Sequence, residues 1–477
     1  VRPHNPNKQG PEDIDESSDT YDTIEWLLEN VPNNNERVGI FGLSYPGFYS
    51  TVALPGAHPA LKAVSPQAPV TNWFIGDDFH HNGAFFLMDA FSFYSSFGRP
   101  RPEPTRRGAS GFQWPNRDAY DFFLKLGPIR NVEAKFFGDS IKFWSEVMDH
   151  PDYDDWWKAR DPLPHLTDVT PAVMVVGGWF DAEDLFGPLA TYAAIEDQNP
   201  GASNRIMMGP WFHGQWGFDD GENLGNVHWG MKSAERYREA ELEFFNYYLK
   251  DEGELTLPEA AMFDTGAGEW MEFEAWPPPN VQPAALYLQP GGGLAFNPPA
   301  AAGESFDEYV ADPANPVPYT EDVHLRRTTQ YMTDDQRFAA RRPDVMAYVS
   351  EPLEEAVTLA GPVIADLLVS TTGTDADYVV KLIDVFPDDL EDYPETDDGV
   401  PMQGYQMLVR GEVLRGRYRN SFENPEPFTP GEVTQVEFEI PAVLHTFKPG
   451  HRIMIQVQNS WFPLVDRNPQ TFVNIYE

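Results

Sequence analysis

Ser44 stands in the turn Gly42-Leu43-Ser44-Tyr45-Pro46-Gly47, and that setting makes it a candidate nucleophile. A serine hydroxyl attacks well only when a base takes its proton and when its own backbone does not shield it. A sharp strand-to-helix turn meets the second need. Gly42 and Gly47 lie where side chains would crowd the neighbouring elements, and the backbone N–H of Tyr45, at the start of a helix, can face a developing oxyanion. By itself such a turn is more often structural than catalytic.

The first need calls for a base and a carboxylate to orient it. Asp181 closes Gly178-Trp179-Phe180-Asp181, five residues after Val176, and His213 lies in Gly209-Pro210-Trp211-Phe212-His213-Gly214. Each follows a run that reads as a strand, and in a parallel sheet the strand C-termini share one edge, so three such loops can converge. The chain order Ser, Asp, His is the one expected of α/β-hydrolases. Of the eleven histidines, His80 and His81 lie at the start of a helical insertion and His445 and His451 in a β-rich region. His58, His150, His165 and His228 do not directly follow a sheet strand, whereas His213 does, and this makes it the candidate base.

Three further carboxylates fall on the same sheet edge. Glu183 and Asp184 come within one turn of Asp181, and Asp78 ends the loop after the strand that begins at Leu61. Like charges brought together disfavour ionisation unless a cation neutralises them, so the cluster asks for an ammonium group or a metal. The plain alternative is that this protein is acidic everywhere. Asp and Glu number 75 against 33 Lys and Arg, a formal charge of -42, with a pI near 4.4. Such a surface repels phosphate and excludes nucleic acid as a partner. It suits a salty medium, where counterions screen the self-repulsion.

The elements that must position these residues are legible in the pattern. Residues 19–31 place apolar side chains at helical spacing, and Pro32 with the asparagine run 33–35 stops the helix. Residues 37–41 form a short apolar strand into the Ser44 turn, 48–54 resume as helix, and 61–64 read as the next buried strand. Residues 80–165 are crowded with aromatics and carry helical stretches at 120–126 and 141–148, so they read as a helical cap. Strand signals return at 172–176 and 205–208 with helix at 190–195 between them, the rhythm of a parallel sheet. Residues 233–250 form a long amphipathic helix, stopped by Gly253, that serves as the last helix of that domain.

Beyond about residue 280 the pattern changes to short β-branched and aromatic runs at 285–288, 357–359, 365–370, 378–385, 406–414, 433–440 and 452–458. Strands without helices between them argue for an antiparallel jelly-roll sandwich. The expected fold class is α/β, an α/β-hydrolase domain with a helical cap insertion followed by an all-β jelly-roll domain. Its parts are 1–79 and 166–275 for the hydrolase domain, 80–165 for the cap and 276–477 for the jelly roll.

No stretch approaches the roughly eighteen apolar residues that span a bilayer. The absence of cysteine excludes thiol nucleophiles, thiolate metal sites and disulfides. The opening to Glu16 has neither the basic start nor the apolar core of a signal peptide, and Val1 is not an initiator methionine, so the true N-terminus is expected elsewhere.

The Ser44 turn, with tyrosine after serine, resembles the nucleophile turn of the α-amino acid ester hydrolases, within the larger group of cocaine esterase and the X-prolyl dipeptidyl peptidases. The resemblance continues through Gly76-Asp77-Asp78, 178–184, 209–213, 370–377, 380–384, Trp461-Phe462-Pro463 and Asp466-Arg467-Asn468-Pro469, nearly the whole chain. It implies the triad Ser44, Asp181 and His213, with Tyr45 N–H in the oxyanion hole. It implies that Asp78, Glu183 and Asp184 bind the substrate's α-ammonium group. No cofactor and no metal are implied. The partner is a small α-amino acyl ester or amide, with no nucleic acid and no membrane, and the protein is expected to be a homo-oligomer, a tetramer by the resemblance, in the periplasm or secreted. The family also has an N-terminal portion, with a tyrosine completing the oxyanion hole, and last sandwich strands for which this chain has no counterpart. Pro46 stands where the family often carries glutamate or leucine.

The expected activity is hydrolysis, or transfer, of α-amino acyl groups from esters and α-amino β-lactam antibiotics through an acyl-enzyme on Ser44. The alternatives are a broader carboxylesterase, a cephalosporin acylase-like amidase or an X-prolyl dipeptidyl peptidase, with the carboxylates as surface charge or around a calcium ion. From another class, the alternative is a carbohydrate-binding protein with an inactive hydrolase domain.

Overall fold

The computed structural model describes residues 15–108, 110–300, 305–393 and 400–476. The chain enters through helix α1 (Glu16–Asn30), whose capping residue Asp15 accepts a hydrogen bond from the Ser18 amide at 2.8 Å. Strand β1 (Val38–Leu43) then runs into helix α2 (Tyr45–Val52), and strand β2 (Leu61–Gln67) lies parallel beside β1.

Between β2 and the next strand come helices α3 (Leu87–Phe97), α4 (Ala119–Leu126) and α5 (Lys142–Asp149). Their aromatic residues form one interior: Phe91 meets Phe123 edge-on with ring centroids 5.3 Å apart and stacks on Phe137 at 5.2 Å, and Phe137 meets Trp144 at 5.2 Å. The aromatic crowding that marks residues 80–165 in the sequence is thus the core of the cap.

Strand β3 (Ala172–Gly178), helix α6 (Phe186–Gln198), strand β4 (Asn204–Gly209) and helix α7 (Ser233–Lys250) continue the alternation. All seven residues of β3 are buried, as expected for a strand covered on both faces. Two strands that sequence periodicity did not reveal finish the sheet, β5 (Ala260–Asp264) and β6 (Glu269–Phe273). The order is β1-β2-β3-β4-β5-β6, parallel except for the antiparallel β5–β6 hairpin. Helix α7 stops at Asp251 in the left-handed conformation (φ 56°), two residues before Gly253.

The second half is mainly β, as expected, with one short helix at Arg337–Ala340 that the sequence reading did not include. Strands β7 (Tyr287–Gln289), β8 (Gly293–Ala295) and β9 (Met346–Val349) lead to the long β10 (Val357–Val369), then β11 (Asp377–Val385), β12 (Gln406–Arg415), β13 (Thr434–Phe447) and β14 (Arg452–Gln458). One sheet has the order β7-β8-β9-β14-β11-β12, and β10 pairs with β13 in the other. Leu382, Val409 and Ile453 of the first sheet share a core with Val443 and Phe447 of the second. The runs 357–359 and 365–370 are one strand, not two. The Gly361-Pro362 pair that interrupts the pattern is absorbed by a register shift against β13 between Gly361 and Val363. Among the described residues no helix is long and apolar enough to cross a membrane.

Candidate active site

The loops after β1, β2, β3 and β4 leave the sheet at one edge. Ser44 occupies the junction of β1 and α2 with φ 67° and ψ -127°, a conformation costly for any residue with a Cβ. Its amide donates to the Gln67 carbonyl at 2.9 Å, which ties the turn to the end of β2. The glycines are there because nothing else fits. A Cβ on Gly42 would lie 2.3 Å from the Pro46 carbonyl oxygen, and one on Gly47 would lie 2.4 Å from the Gln67 oxygen. Pro46 is exposed at the first turn of α2, where its fixed φ suits a helix start. Tyr45 is the first residue of α2, so its amide has no acceptor within the helix.

Asp181 and His213 meet as their strands require. Trp179 N donates to Gly209 O at 2.8 Å and Phe180 N to Trp211 O at 3.0 Å, so the β3 and β4 loops leave the sheet as a pair. Asp181 is buried. Its Oδ2 lies 2.8 Å from His213 Nδ1, and its Oδ1 accepts from the amides of Glu183 (2.9 Å) and Asp184 (3.0 Å). Burial opposes ionisation of Asp181, but the charge and hydrogen bond of His213 and the two amides outweigh it and hold its pKa below the usual value. The loop of His213 abuts the Ser44 turn: Gly214, at φ 76°, has Leu43 Cδ2 only 2.6 Å from where its Cβ would be.

The acidic cluster is real and larger than the sequence indicated. Asp78, in a left-handed conformation (φ 54°), donates its amide to the Glu183 carbonyl at 2.9 Å. Glu183 Oε2 lies 3.6 Å from His213 Nε2, and Asp184 Oδ2 lies 3.8 Å from His213 Nδ1. Asp184 is fully buried, and neither of its carboxylate oxygens accepts a hydrogen bond among the described residues. Burial and then the neighbouring charges of Asp78, Asp77, Asp181 and Glu183 push its pKa well above the ordinary range. Asp78 is raised in the same way, by burial and then by Glu183 and Asp77. Asp77 is raised to about 7 by burial, although Thr71 and Gly187 donate to it. For His213, burial favours the neutral ring, but Asp181, Glu183 and Asp78 overcome it and raise the pKa to about 9.

Three more side chains join the site from regions without a readable motif. Arg327 donates Nε to Asp89 Oδ2 at 2.7 Å and a terminal nitrogen to Glu183 Oε1. Asp89 comes from α3 in the cap. Arg410, buried on β12, donates to the Trp179 carbonyl two residues before Asp181 and sits over the Trp179 ring. The only sequence signal for Arg327 is the need of so many carboxylates for a counter-charge, and 33 lysines and arginines could meet it.

Among the described residues four other histidines have buried partners of their own, and His81 also lies near enough to Asp77 and Asp89 to favour their charged forms. His81 pairs with Glu412 at 3.1 Å and His80 with Tyr476 at 2.8 Å, both buried. His445 and His451 share Asp384 at 3.2 and 2.8 Å within the β sandwich.

Known proteins share this architecture. The family described as X-Pro dipeptidyl-peptidase (S15 family) matches residues 8–215, and the X-Pro dipeptidyl-peptidase C-terminal non-catalytic domain matches residues 253–474. An aminopeptidase from the marine sediment archaeon Thaumarchaeota archaeon is 38% identical and superposes with a TM-score of 0.90 over 98% of this chain and 77% of that one. A structure of α-amino acid ester hydrolase is 36% identical, with a TM-score of 0.90 over 98% of this chain and 77% of that one. Cocaine esterase of Rhodococcus sp. (strain MB1 Bresler) is 29% identical over 96% of this chain and 79% of its own length. An α/β-hydrolase-like domain followed by a β domain is the architecture these matches span, and the chain belongs to the S15 family group of serine hydrolases, which takes in the X-Pro dipeptidyl peptidases, cocaine esterase and the α-amino acid ester hydrolases.

Proposed function

We propose that this hydrolase acts on esters and amides whose acyl group carries a free α-amino group, with α-amino acid esters and α-amino β-lactam antibiotics as acyl donors. Ser44 Oγ attacks the scissile carbonyl, and its proton passes to His213 Nε2. Asp181 holds His213 through Nδ1 and stabilises the imidazolium that forms. The tetrahedral oxyanion faces the Tyr45 amide at the head of α2. Collapse expels the alcohol or amine, which takes the proton from His213, and leaves an ester on Ser44. Water repeats the cycle, or a second amine takes the acyl group.

The observation that carries the specificity is Asp184. A fully buried carboxylate with no hydrogen-bond donor, beside Asp78 and Glu183, is expensive to keep ionised, and a substrate ammonium is the group that would offset it. The names of two similar proteins point the same way, since an aminopeptidase and an α-amino acid ester hydrolase both act next to a free α-amino group.

The experiment is a comparison of kcat/KM for an α-amino acid ester and its des-amino analogue, in the wild type and in Asp78→Asn and Asp184→Asn. The wild type is expected to prefer the amino ester by tenfold or more, and each variant to narrow that ratio. Equal turnover of the two esters by the wild type would sink the reading in favour of a broad carboxylesterase.

A further inference from the structure

Residues 317–333 lie in the second half of the chain and reach the candidate site through Arg327, and the segment is tied down along its length. Tyr319 N donates to the Phe462 carbonyl at 2.9 Å, and the His324 carbonyl accepts from Ala119 N of α4 at 2.9 Å. Thr333 Oγ1 donates to the Leu224 carbonyl at 3.1 Å. The segment thus bridges sandwich, cap and hydrolase domain, and Arg327 projects from its middle with a side chain only 8% exposed.

The two carboxylates on Arg327 come from different elements, Asp89 from α3 and Glu183 from the loop after β3. A guanidinium suits that position because its planar fork can serve two acceptors at once, which a lysine ammonium does less well. Burial disfavours the charge, but Asp89 and Glu183 more than restore it. Glu183 is consequently held by one oxygen. Its other oxygen, Oε2, lies 3.6 Å from His213 Nε2, the nitrogen that must accept the Ser44 proton. A movement of under about 1 Å would close that gap to a charge-assisted hydrogen bond. A Glu183 so placed would occupy Nε2 and hold the imidazolium more tightly than Glu183 at 3.6 Å already does, taking that nitrogen from Ser44.

We propose that Arg327 is a positioning residue that grips Glu183 by one carboxylate oxygen, keeping His213 Nε2 free for Ser44 and presenting the other oxygen to the substrate ammonium. The second half of this rests on the proposed ammonium recognition, and the first half does not. The charged groups that face His213 are Asp181 and Asp184 on its Nδ1 side, with Glu183 and Asp78 also acting on the ring. Those that face Arg327 are Asp89, Glu183 and the hydroxyls of Tyr331 and Tyr319. Without Arg327, the ion-pair contact that remains to Glu183 among the described residues is the one with His213.

The test uses the full chain with Arg327→Met, and with the shorter, polar Arg327→Gln as a second uncharged variant. The acid limb of kcat/KM against pH is read with a des-amino ester, which has no amine of its own to titrate. In both variants the limb is expected to move up by about one unit, the scale of an opposite charge moving into contact. With the amino ester, the amino preference is expected to fall. Adding Glu183→Gln to Arg327→Met is expected to return the limb to that of Glu183→Gln alone. A limb that stays at its wild-type position in folded Arg327→Met or Arg327→Gln overturns the proposal, as does a shift that survives in the double variant. If the wild type turns over the two esters equally, ammonium recognition fails, and the limb read with the des-amino ester still decides the role of Arg327.

Discussion

The amide of Asp78 donates to the carbonyl of Glu183 at 2.9 Å, and this main-chain bond joins the loop after β2 to the loop after β3. The carboxylates of the cluster are therefore spaced by main chain and not by one another. Side chains can be neutralised singly without dispersing the rest.

Asp184→Asn is the sharpest such change. An ammonium contact to a buried carboxylate contributes about 1.5–3 kcal/mol, so kcat/KM for an α-amino ester is expected to fall roughly 10- to 100-fold, with little change for the des-amino ester. Stability should move the other way. Burial and like charges raise the Asp184 pKa, and the neutral amide removes both penalties, so the thermal midpoint is expected to rise. Thermal unfolding beside the kinetics checks this, and loss of both activity and stability would contradict it.

His213 should give the free enzyme an acid limb near pH 9, because its pKa is raised to about 9 and only the neutral ring accepts a proton. A bound ammonium offsets Glu183 and Asp78, which lowers the His213 pKa. The limb of kcat for an amino ester is thus expected below the limb of kcat/KM for a des-amino ester. The linkage to stability has a definite sign. The folded pKa of His213 lies above its ordinary 6.5, so its contribution is complete below that value and is lost as pH rises through about 9. The contribution of Asp181, whose pKa is lowered, is present above 3.8 and is lost as pH falls through its folded value. Denaturant midpoints across pH check both limbs.

Ser44 pays for its geometry with backbone strain at φ 67°. Ser44→Ala and Ser44→Gly should both abolish turnover and fluorophosphonate labelling. Glycine relieves the strain and alanine does not, so the glycine variant is expected to be the more stable of the two by about 1 kcal/mol. Equal unfolding midpoints would show that the turn is not strained.

Arg410 ties the β sandwich to the loop that carries Asp181. Arg410→Met leaves the Trp179 carbonyl without its buried donor, at a cost of about 1–3 kcal/mol, and loosens the loop that carries Asp181. The expected result is a lower thermal midpoint and a kcat reduced about tenfold with KM less affected, since a misplaced Asp181 harms the proton transfer more than binding. An unchanged kcat would separate the sandwich from catalysis.

Ser44, Asp181 and His213 could be read from the chain because the reasons for their places are local. Gly42 and Gly47 are forced by contacts within a few residues of the turn or with the adjoining strand, and strand-end position brings Asp181 and His213 to one edge. Asp78, Glu183 and Asp184 followed from the same rule. Helix α7 was read to the residue for a similar reason, since its apolar periodicity lies within one element.

Other features depend on what lies across from a segment in space. The β5–β6 hairpin reads as strand only because β4 supplies an edge for it, and Gly361-Pro362 becomes a bulge and not a strand end only because β13 runs past it. Arg327, Asp89 and Arg410 sit 144, 94 and 229 residues from Glu183, Glu183 and Asp181 respectively. A sequence carries spacing along one chain direction, and that was enough to place a serine, an acid and a histidine in loops at one sheet edge beside excess negative charge. Which arginine balances that charge depended on the packing of three domains against each other, because a buried counter-ion is chosen by distance in space and leaves no period in the chain.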